Sequence, residues 1–122
     1  MLRSFLSGKI HQATVTDASV EYEGSLAVSL DLMEAAGLRP GEKILVGVIE
    51  TGNRFETYLI PAPAGKGSVI LNGATAHLAK KGHRLTIMAF AQLSPEEITI
   101  HRAKTVLLDG QNRIRRISEL HP

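Results

Sequence analysis

The feature that most constrains this fold is the shortness of the apolar stretches, each of which ends at turn residues. The two longest, Ile44–Ile49 and Leu85–Ala91, fall far short of the roughly 20 residues that a membrane-spanning helix needs. Short runs rich in β-branched residues and bounded by Gly, Pro, Asn or Asp are typical of strands. The sequence therefore predicts a small, mainly-β barrel with two or three short helices and no membrane-spanning segment.

The order of these runs predicts the elements. Asp31 is placed to cap a helix that Gly37 ends, and Ser94 with Pro95 has the form of a second helix start. Lys43–Glu50 is apolar on both faces, which predicts burial on two sides, in a barrel or against another subunit. The remaining predicted segments are the strands Lys9–Thr16, Leu26–Leu30, Arg54–Pro61, Ser68–Leu71 and Arg84–Gln92, a short helix over Asn72–His77, and a closing hairpin of Ile98–Leu108 with Arg113–Ile117.

The composition narrows the function classes. With 122 residues, 43% of them apolar and 21% charged, the chain has the size and balance of one globular domain. It contains no cysteine, which excludes disulfides, thiolate zinc sites, iron–sulfur clusters and a cysteine nucleophile. The absence of disulfides and of a signal-peptide pattern at the N-terminus predicts a cytoplasmic protein.

Charge and aromatic content argue against nucleic-acid binding. The formal net charge is only +2, and aromatic residues make up 4% of the chain, too few for a base-stacking surface. A basic C-terminal segment is interpreted as a solvated face, although a small basic β-barrel that binds RNA or a partner protein stays open as an alternative. The five histidines lack metal-ligand spacing, so no metal is predicted. The basic residues are Arg102, Lys104, Arg113, Arg115 and Arg116.

Two short segments stand out between predicted elements. Tyr22–Ser25 lies where a turn is expected, and its Gly-Ser pair alone indicates nothing more. Gly73, Ala74 and Thr75 begin the predicted helix that follows Asn72, so their backbone N–H groups could face an anion. Either segment could equally be a plain structural turn.

Five segments match one known family in order and spacing: Gly8–His11, Tyr22–Ser25, Ala35–Gly37, Thr51–Tyr58 and Asn72–His77. Through them the chain resembles the bacterial aspartate decarboxylases, pyruvoyl enzymes that convert L-aspartate to β-alanine and CO2 for the synthesis of pantothenate and coenzyme A. The resemblance implies a double-psi β-barrel assembled as a homotetramer, with residues 1–122 as one domain. The chain departs from the family pattern at Leu26, where smaller residues are common, at Gly47, where tryptophan is common, and at Thr75, which is often alanine.

The resemblance also implies a self-processing precursor. Ser25 would attack the carbonyl of Gly24, with Thr57 as the donor to the oxyanion. Cleavage would leave a short chain, 1–24, and a larger chain, 25–122, that begins with a covalent pyruvoyl group derived from Ser25. No metal and no pyridoxal phosphate is implied. Whether cleavage needs a maturation factor stays open, as does an unprocessed pseudo-enzyme.

The same resemblance implies roles in catalysis. The pyruvoyl ketone would form a Schiff base with the substrate amine, and Tyr58 would be the proton donor. Lys9 and Arg54 would hold the two carboxylates, in an order that stays open. Asn72 would orient the carbonyl of the cofactor, and activity on glutamate stays open because one methylene is worth only about 1–3 kcal/mol. The further substrate contacts implied are Thr57, Gly73, Ala74 and Thr75.

Overall fold

A computed structural model describes residues 1–122 as nine strands, two short α-helices and one 3-10 helix. The mainly-β fold expected from the sequence is confirmed. No helix is long and apolar enough to cross a membrane. The strands are β1 (Arg3–Thr14), β2 (Asp17–Ser19), β3 (Ser25–Ser29), β4 (Lys43–Val48), β5 (Arg54–Ala62), β6 (Val69–Asn72), β7 (Arg84–Leu93), β8 (Ala103–Leu108) and β9 (Ile114–Leu120). The helices are α1 (Leu30–Ala35), the 3-10 helix η1 (Gly73–His77) and α2 (Pro95–Ile100).

All nine strands belong to one mixed sheet, in the order β2-β6-β3-β5-β4-β7-β1-β8-β9. Only Val15 and Thr16 separate β1 from β2, although β2 begins this order and β1 lies toward its other end. The sheet must therefore curl until these strands meet. At this seam the backbone N–H of Val15 donates to His83 and that of Thr16 donates to Val69, both at 2.8 Å. This arrangement is consistent with the expected β-barrel, with β8 and β9 as a hairpin beside it.

The core fills the inside of the curled sheet with aliphatic side chains. The C-cap of helix α1 packs closely on β1, since a Cβ added at Gly8 would clash with the carbonyl oxygen of Ala36. The next residue, Gly37, has a φ of +71° that favours glycine and turns the chain away from the helix. The largest buried side chains include Ile10, Leu26, Leu32, Met33, Ile44, Leu59, Leu71, Leu85, Ile87 and Leu108.

Strand β4 is buried on one face rather than two. Ile44, Val46 and Val48 point into the core, whereas Leu45 and Gly47 on the opposite face are half-buried. The two-sided burial that was expected of this strand is therefore only half met within a single chain, and the outer face of β4 stays partly exposed.

Several elements differ from the predictions: β1 begins at Arg3 rather than at Lys9, the short strand β2 was not expected, and the first helix begins differently. Helix α1 begins at Leu30, directly after strand β3, so Asp31 lies in its first turn and is not its cap. Ser29 ends the strand because its backbone N–H donates to Ser68. The carboxylate of Asp31 instead accepts hydrogen bonds from the Ser29 hydroxyl and the Gly65 N–H. The hydrogen bond from Ser29, above all, holds the pKa of Asp31 below its usual value.

The C-terminal hairpin begins later than predicted. The capping box of Ser94 and Glu97 starts α2 as expected and keeps the chain helical as far as Ile100. The first strand of the hairpin therefore begins at Ala103 rather than at Ile98.

Candidate active site

Ser25 is the first residue of β3 and lies where an exposed segment enters the core. It is 2% exposed, whereas Gly24 before it is exposed. A Cβ placed at Gly24 would meet no atom within 4 Å, so there is open space beside its Cα. A buried hydroxyl thus directly follows an exposed glycine.

Three polar contacts surround Ser25. The side-chain amide of Asn72, which pairs with Ser25 in the antiparallel register of β3 and β6, donates to Ser25 Oγ at 3.1 Å. Ser25 Oγ is itself 3.5 Å from the carbonyl oxygen of Glu23, to which it donates. Thr75 Oγ1 is 2.7 Å from the Asn72 carbonyl oxygen and 3.4 Å from that of Ser25. Ser25 is therefore held from both its hydroxyl and its carbonyl side.

Gly73 lets the 3-10 helix approach the segment before Ser25. It has a φ of +65°, and a Cβ at this position would lie 2.6 Å from both the Gly24 nitrogen and the Tyr22 carbonyl oxygen. No other residue type fits such a contact without moving the backbone. The close approach fixes the position of the Gly24–Ser25 peptide relative to η1.

A cavity of about 620 Å³ opens beside Ser25. Tyr58 and Ile60 are two residues apart on the same face of β5, and both line this cavity. Tyr58 keeps 39% of its surface exposed. The lining contains two carboxylates and no lysine or arginine. It consists of Asp17, Ser19, Tyr22, Glu23, Ser25, Ala27, Tyr58, Ile60, Ile70 and Asn72.

The two predicted carboxylate-binding cations lie elsewhere. Arg54 lines a second cavity of about 340 Å³ together with Gly47, Thr86 and Met88. Half-buried Lys9 pairs with Met88 in the register of β1 and β7. Arg54 is four residues from Tyr58 on one strand, which separates them by about 13 Å at 3.3 Å per residue. One copy of the chain therefore does not bring Lys9 and Arg54 to Ser25.

Thr57 lies near the Gly24–Ser25 peptide but makes no hydrogen bond to it. The parallel register of β3 and β5 pairs Leu26 with Leu59, and its extension by two residues places Thr57 beside Gly24. Side chains alternate along a strand, so Thr57 shares a face with buried Leu59 rather than with Tyr58. Its hydroxyl makes no hydrogen bond to Gly24 or Ser25.

Sequence reasoning missed the acidic part of the cavity, and the structure reveals it through strand pairing. Asp17 lies opposite Ile70 because β2 runs parallel to β6, and Glu23 precedes the cleavage segment. The signal available in the sequence was the two-residue gap between β1 and β2, which carries Asp17 around the barrel. No three His, Asp or Glu side chains gather in a way that could hold a metal ion.

His11 is a titratable group on β1, two residues after Lys9, and it pairs with Thr86 on β7. Its Nδ1 lies 3.2 Å from Thr86 Oγ1. Burial disfavours the imidazolium and lowers the pKa of His11 below its usual value, and the positive charges of Lys9 and Arg84 add to this effect.

This shift predicts a dependence of stability on pH. Because the folded pKa is below the unfolded value, the contribution of His11 is fully present above about pH 6.5 and is lost as pH falls through the folded pKa. We expect the gain in unfolding free energy between about pH 5 and about pH 7.5 to be smaller in His11→Gln than in the wild type. Urea denaturation at both pH values measures it. An equal gain in the two proteins would show that His11 titrates alike in both states.

Comparison with known proteins points to one family. A family model described as aspartate decarboxylase matches residues 1–115. The chain is 49% identical over 122 residues to an aspartate 1-decarboxylase of Neisseria meningitidis, covering 100% of this chain and 96% of the relative. It is 46% identical over 114 residues to that of Acaryochloris marina, covering 93% and 87%. The identity to that of Caldicellulosiruptor saccharolyticus is 45% over 118 residues, covering 97% and 92%.

Proposed function

The chain belongs to the aspartate decarboxylase family and converts L-aspartate to β-alanine, and we propose that it does so with a pyruvoyl group made from its own Ser25. The observation that carries this proposal is the placement of Ser25. Its hydroxyl is buried at the start of β3, directly after the exposed residue Gly24 and within hydrogen-bond reach of Asn72. A serine held in this way is placed to react with the peptide bond before it.

Self-processing begins with attack of Ser25 Oγ on the carbonyl carbon of Gly24. The amide becomes an ester through this N-to-O shift, and the amine of Ser25 is freed. Gly24 leaves the carbonyl uncovered, while the contact at Gly73 keeps the segment in place. Opening of the ester yields the chains 1–24 and 25–122, the second of which begins with the pyruvoyl group.

The surroundings of Ser25 fit this group. A pyruvoyl ketone supplies an electron sink for the electron pair that CO2 leaves behind. The side-chain amide of Asn72 is placed to donate to an oxygen at position 25 and so to orient it. Tyr58 lines the same cavity and is partly exposed, which suits it to return a proton to the substrate carbon.

We propose that the site is completed by another copy of the chain in a homotetramer. The Ser25 cavity has no cation of its own, and aspartate brings two carboxylates that need one. Arg54 and Lys9 lie farther along the same outer face of the sheet as Tyr58, beside the half-buried outer face of β4. Packing of that face against a neighbour would bring both cations to the neighbour's cavity.

Within the completed site, Arg54 is suited to the carboxylate that the product keeps, because a guanidinium binds it through two parallel hydrogen bonds. Gly73, Ala74 and Thr75 remain proposed substrate contacts. Gly73 and Thr75 are buried beneath Ser25, whereas Ala74 is exposed, so the backbone at Ala74 is the accessible part of η1. The cytoplasmic location expected from the sequence stays a prediction.

Thr57→Val tests the proposed oxyanion donor. We expect cleavage to slow by about 100-fold, because loss of one oxyanion donor costs on the order of 10²–10³ in rate. The substitution keeps the side-chain volume and the β-branched shape. Denaturing mass spectrometry of timed samples gives the cleaved fraction. Cleavage at the wild-type rate would remove Thr57 from the processing step. It would agree with the direction of the Thr57 side chain, which shares a face of β5 with buried Leu59.

The proposal as a whole is tested by the intact mass of purified protein during warming, followed by an assay for β-alanine. Two fragments that meet at Gly24 and Ser25, the larger without an N-terminal amine, are expected together with aspartate turnover. A chain that stays whole, with or without lysate of the source organism, would identify an unprocessed pseudo-enzyme. The lysate arm distinguishes this outcome from dependence on a maturation factor.

A further inference from the structure

Thr75 places a buried hydroxyl on the carbonyl side of Ser25, where the proposed attack on Gly24 makes no use of it. Thr75 is 7% exposed, and its Oγ1 lies 3.4 Å from the Ser25 carbonyl oxygen. Among side chains, it is the donor that reaches this oxygen. The Ser25 carbonyl is not the site of attack, so a hydroxyl at this oxygen can act only in a later step.

We propose that the Thr75 hydroxyl stabilises the negative charge that forms on the Ser25 carbonyl oxygen when the ester eliminates. Thr75 is then a catalytic residue of the second step of self-processing, distinct from the donor that serves the first. This inference rests on the proposed function, because it requires that the ester forms.

The elimination accounts for every atom and electron pair. The proton on the Cα of residue 25 passes to water in the cavity, and the C–H electron pair moves onto the adjacent carbonyl as an enolate. The pair then returns to form the Cα–Cβ double bond as the bond from Cβ to Oγ breaks. Oγ leaves with its electron pair as part of the Gly24 carboxylate. Water then hydrolyses the resulting enamine, after tautomerisation, to the ketone and releases ammonia.

The geometry favours a donor that acts when the charge appears. The hydroxyl of Thr75 has one proton, and in the uncharged chain the nearer acceptor is the Asn72 carbonyl oxygen at 2.7 Å. A full negative charge on the Ser25 oxygen makes that oxygen the stronger acceptor, since charge-assisted hydrogen bonds are about twice as strong as neutral ones. Rotation about one bond transfers the donor, so the interaction is gained mainly in the transition state.

The neighbouring contact fits the same step. Asn72 donates its side-chain amide to Ser25 Oγ, which is the oxygen that leaves in the elimination. The two donors therefore lie at the two oxygens whose charge increases, one on the carbonyl of Ser25 and one on its former hydroxyl. Both belong to the turn from β6 into η1, which Gly73 holds against the cleavage segment.

The test separates ester formation from elimination. Freshly purified precursor is incubated with and without hydroxylamine, which cleaves an ester directly and leaves Ser25 as an ordinary N-terminus. In Thr75→Val we expect spontaneous cleavage to fall about 100-fold, while hydroxylamine-driven cleavage stays within about threefold of the wild type. Thr75→Ser, which keeps the hydroxyl, should retain spontaneous cleavage, and Thr99→Val is the exposed control. Mass spectrometry distinguishes a Gly24 hydroxamate from a Gly24 carboxylate.

Three outcomes would overturn the inference. Spontaneous cleavage of Thr75→Val at the wild-type rate would show that the hydroxyl is not needed. Equal slowing of spontaneous and hydroxylamine-driven cleavage would place the defect in folding or in ester formation. A serine variant as slow as the valine variant would exclude the hydroxyl as the cause. A wild-type chain that is cleaved under neither condition would overturn self-processing, and with it this inference.

Discussion

Replacement of Ser25 by alanine is expected to leave a chain of the full 122 residues that forms no β-alanine. The proposed nucleophile is absent from this variant, and no other side chain is placed at the Gly24 carbonyl. The fold should persist. The Asn72 amide loses a hydrogen-bond acceptor, which costs about 1–3 kcal/mol, whereas the free energy of unfolding of native domains is commonly about 5–15 kcal/mol. Intact mass after prolonged warming, with far-UV circular dichroism, measures both.

Ser19→Ala is the matched control for this variant. Ser19 lines the same cavity, but it lies on β2 and has no peptide carbonyl to attack in the proposed mechanism. It should be cleaved at close to the wild-type rate. Cleavage of Ser25→Ala between residues 24 and 25 would disprove the assignment of the nucleophile, whereas loss of cleavage in both variants would indicate a disturbed cavity.

Replacement of Arg54 by alanine is expected to separate processing from turnover. Arg54 takes no part in the proposed attack on Gly24, so cleavage should continue. Turnover of aspartate should fall about 30-fold or more, since truncation of one member of a desolvated charge pair costs about 2–5 kcal/mol. Normal aspartate turnover in this variant would end the proposed carboxylate contact.

If Arg54 of one copy completes the Ser25 site of another, two inactive variants should complement each other. Co-expression of Ser25→Ala with Arg54→Ala should restore activity that neither variant has alone, because some sites will combine Ser25 of one copy with Arg54 of another. Co-expression of Ser25→Ala with Tyr58→Phe should restore none, because Ser25 and Tyr58 line one cavity of one chain. Lack of rescue by the Arg54 pair would place Arg54 outside the site of a neighbouring copy.

Local chemistry made much of the fold predictable. The hairpin between β4 and β5 follows from Gly52, whose φ of +77° suits the tight turn, and the start of α2 follows from the Ser94–Glu97 capping box. The cap proposed at Asp31 was wrong because Ser29 belongs to the sheet, which overrides the helix signal next to it. Short-range signals fail where strand pairing competes for the same backbone.

The sequence indicated candidate residues for the site but not their arrangement. It places Gly24 and Ser25 in a turn and Asn72 at the start of a helix, and the register of β3 with β6 then joins Ser25 to Asn72. The separation of Arg54 from Ser25 depends on the order of strands, because β5 pairs with β4 near Arg54 and with β3 beyond Tyr58. Neither composition nor spacing contains that order.

The position of β1 has a consequence for a chain that is cleaved as proposed. This strand lies between β7 and β8, so residues 1–24 would stay inserted in the sheet after cleavage before Ser25. Unfolding would then release two separate chains, and refolding would require them to meet again, at a rate that depends on protein concentration. The uncleaved precursor refolds as one molecule, whereas a cleaved protein would depend on slow unfolding, and so on how slowly β1 comes out of the sheet.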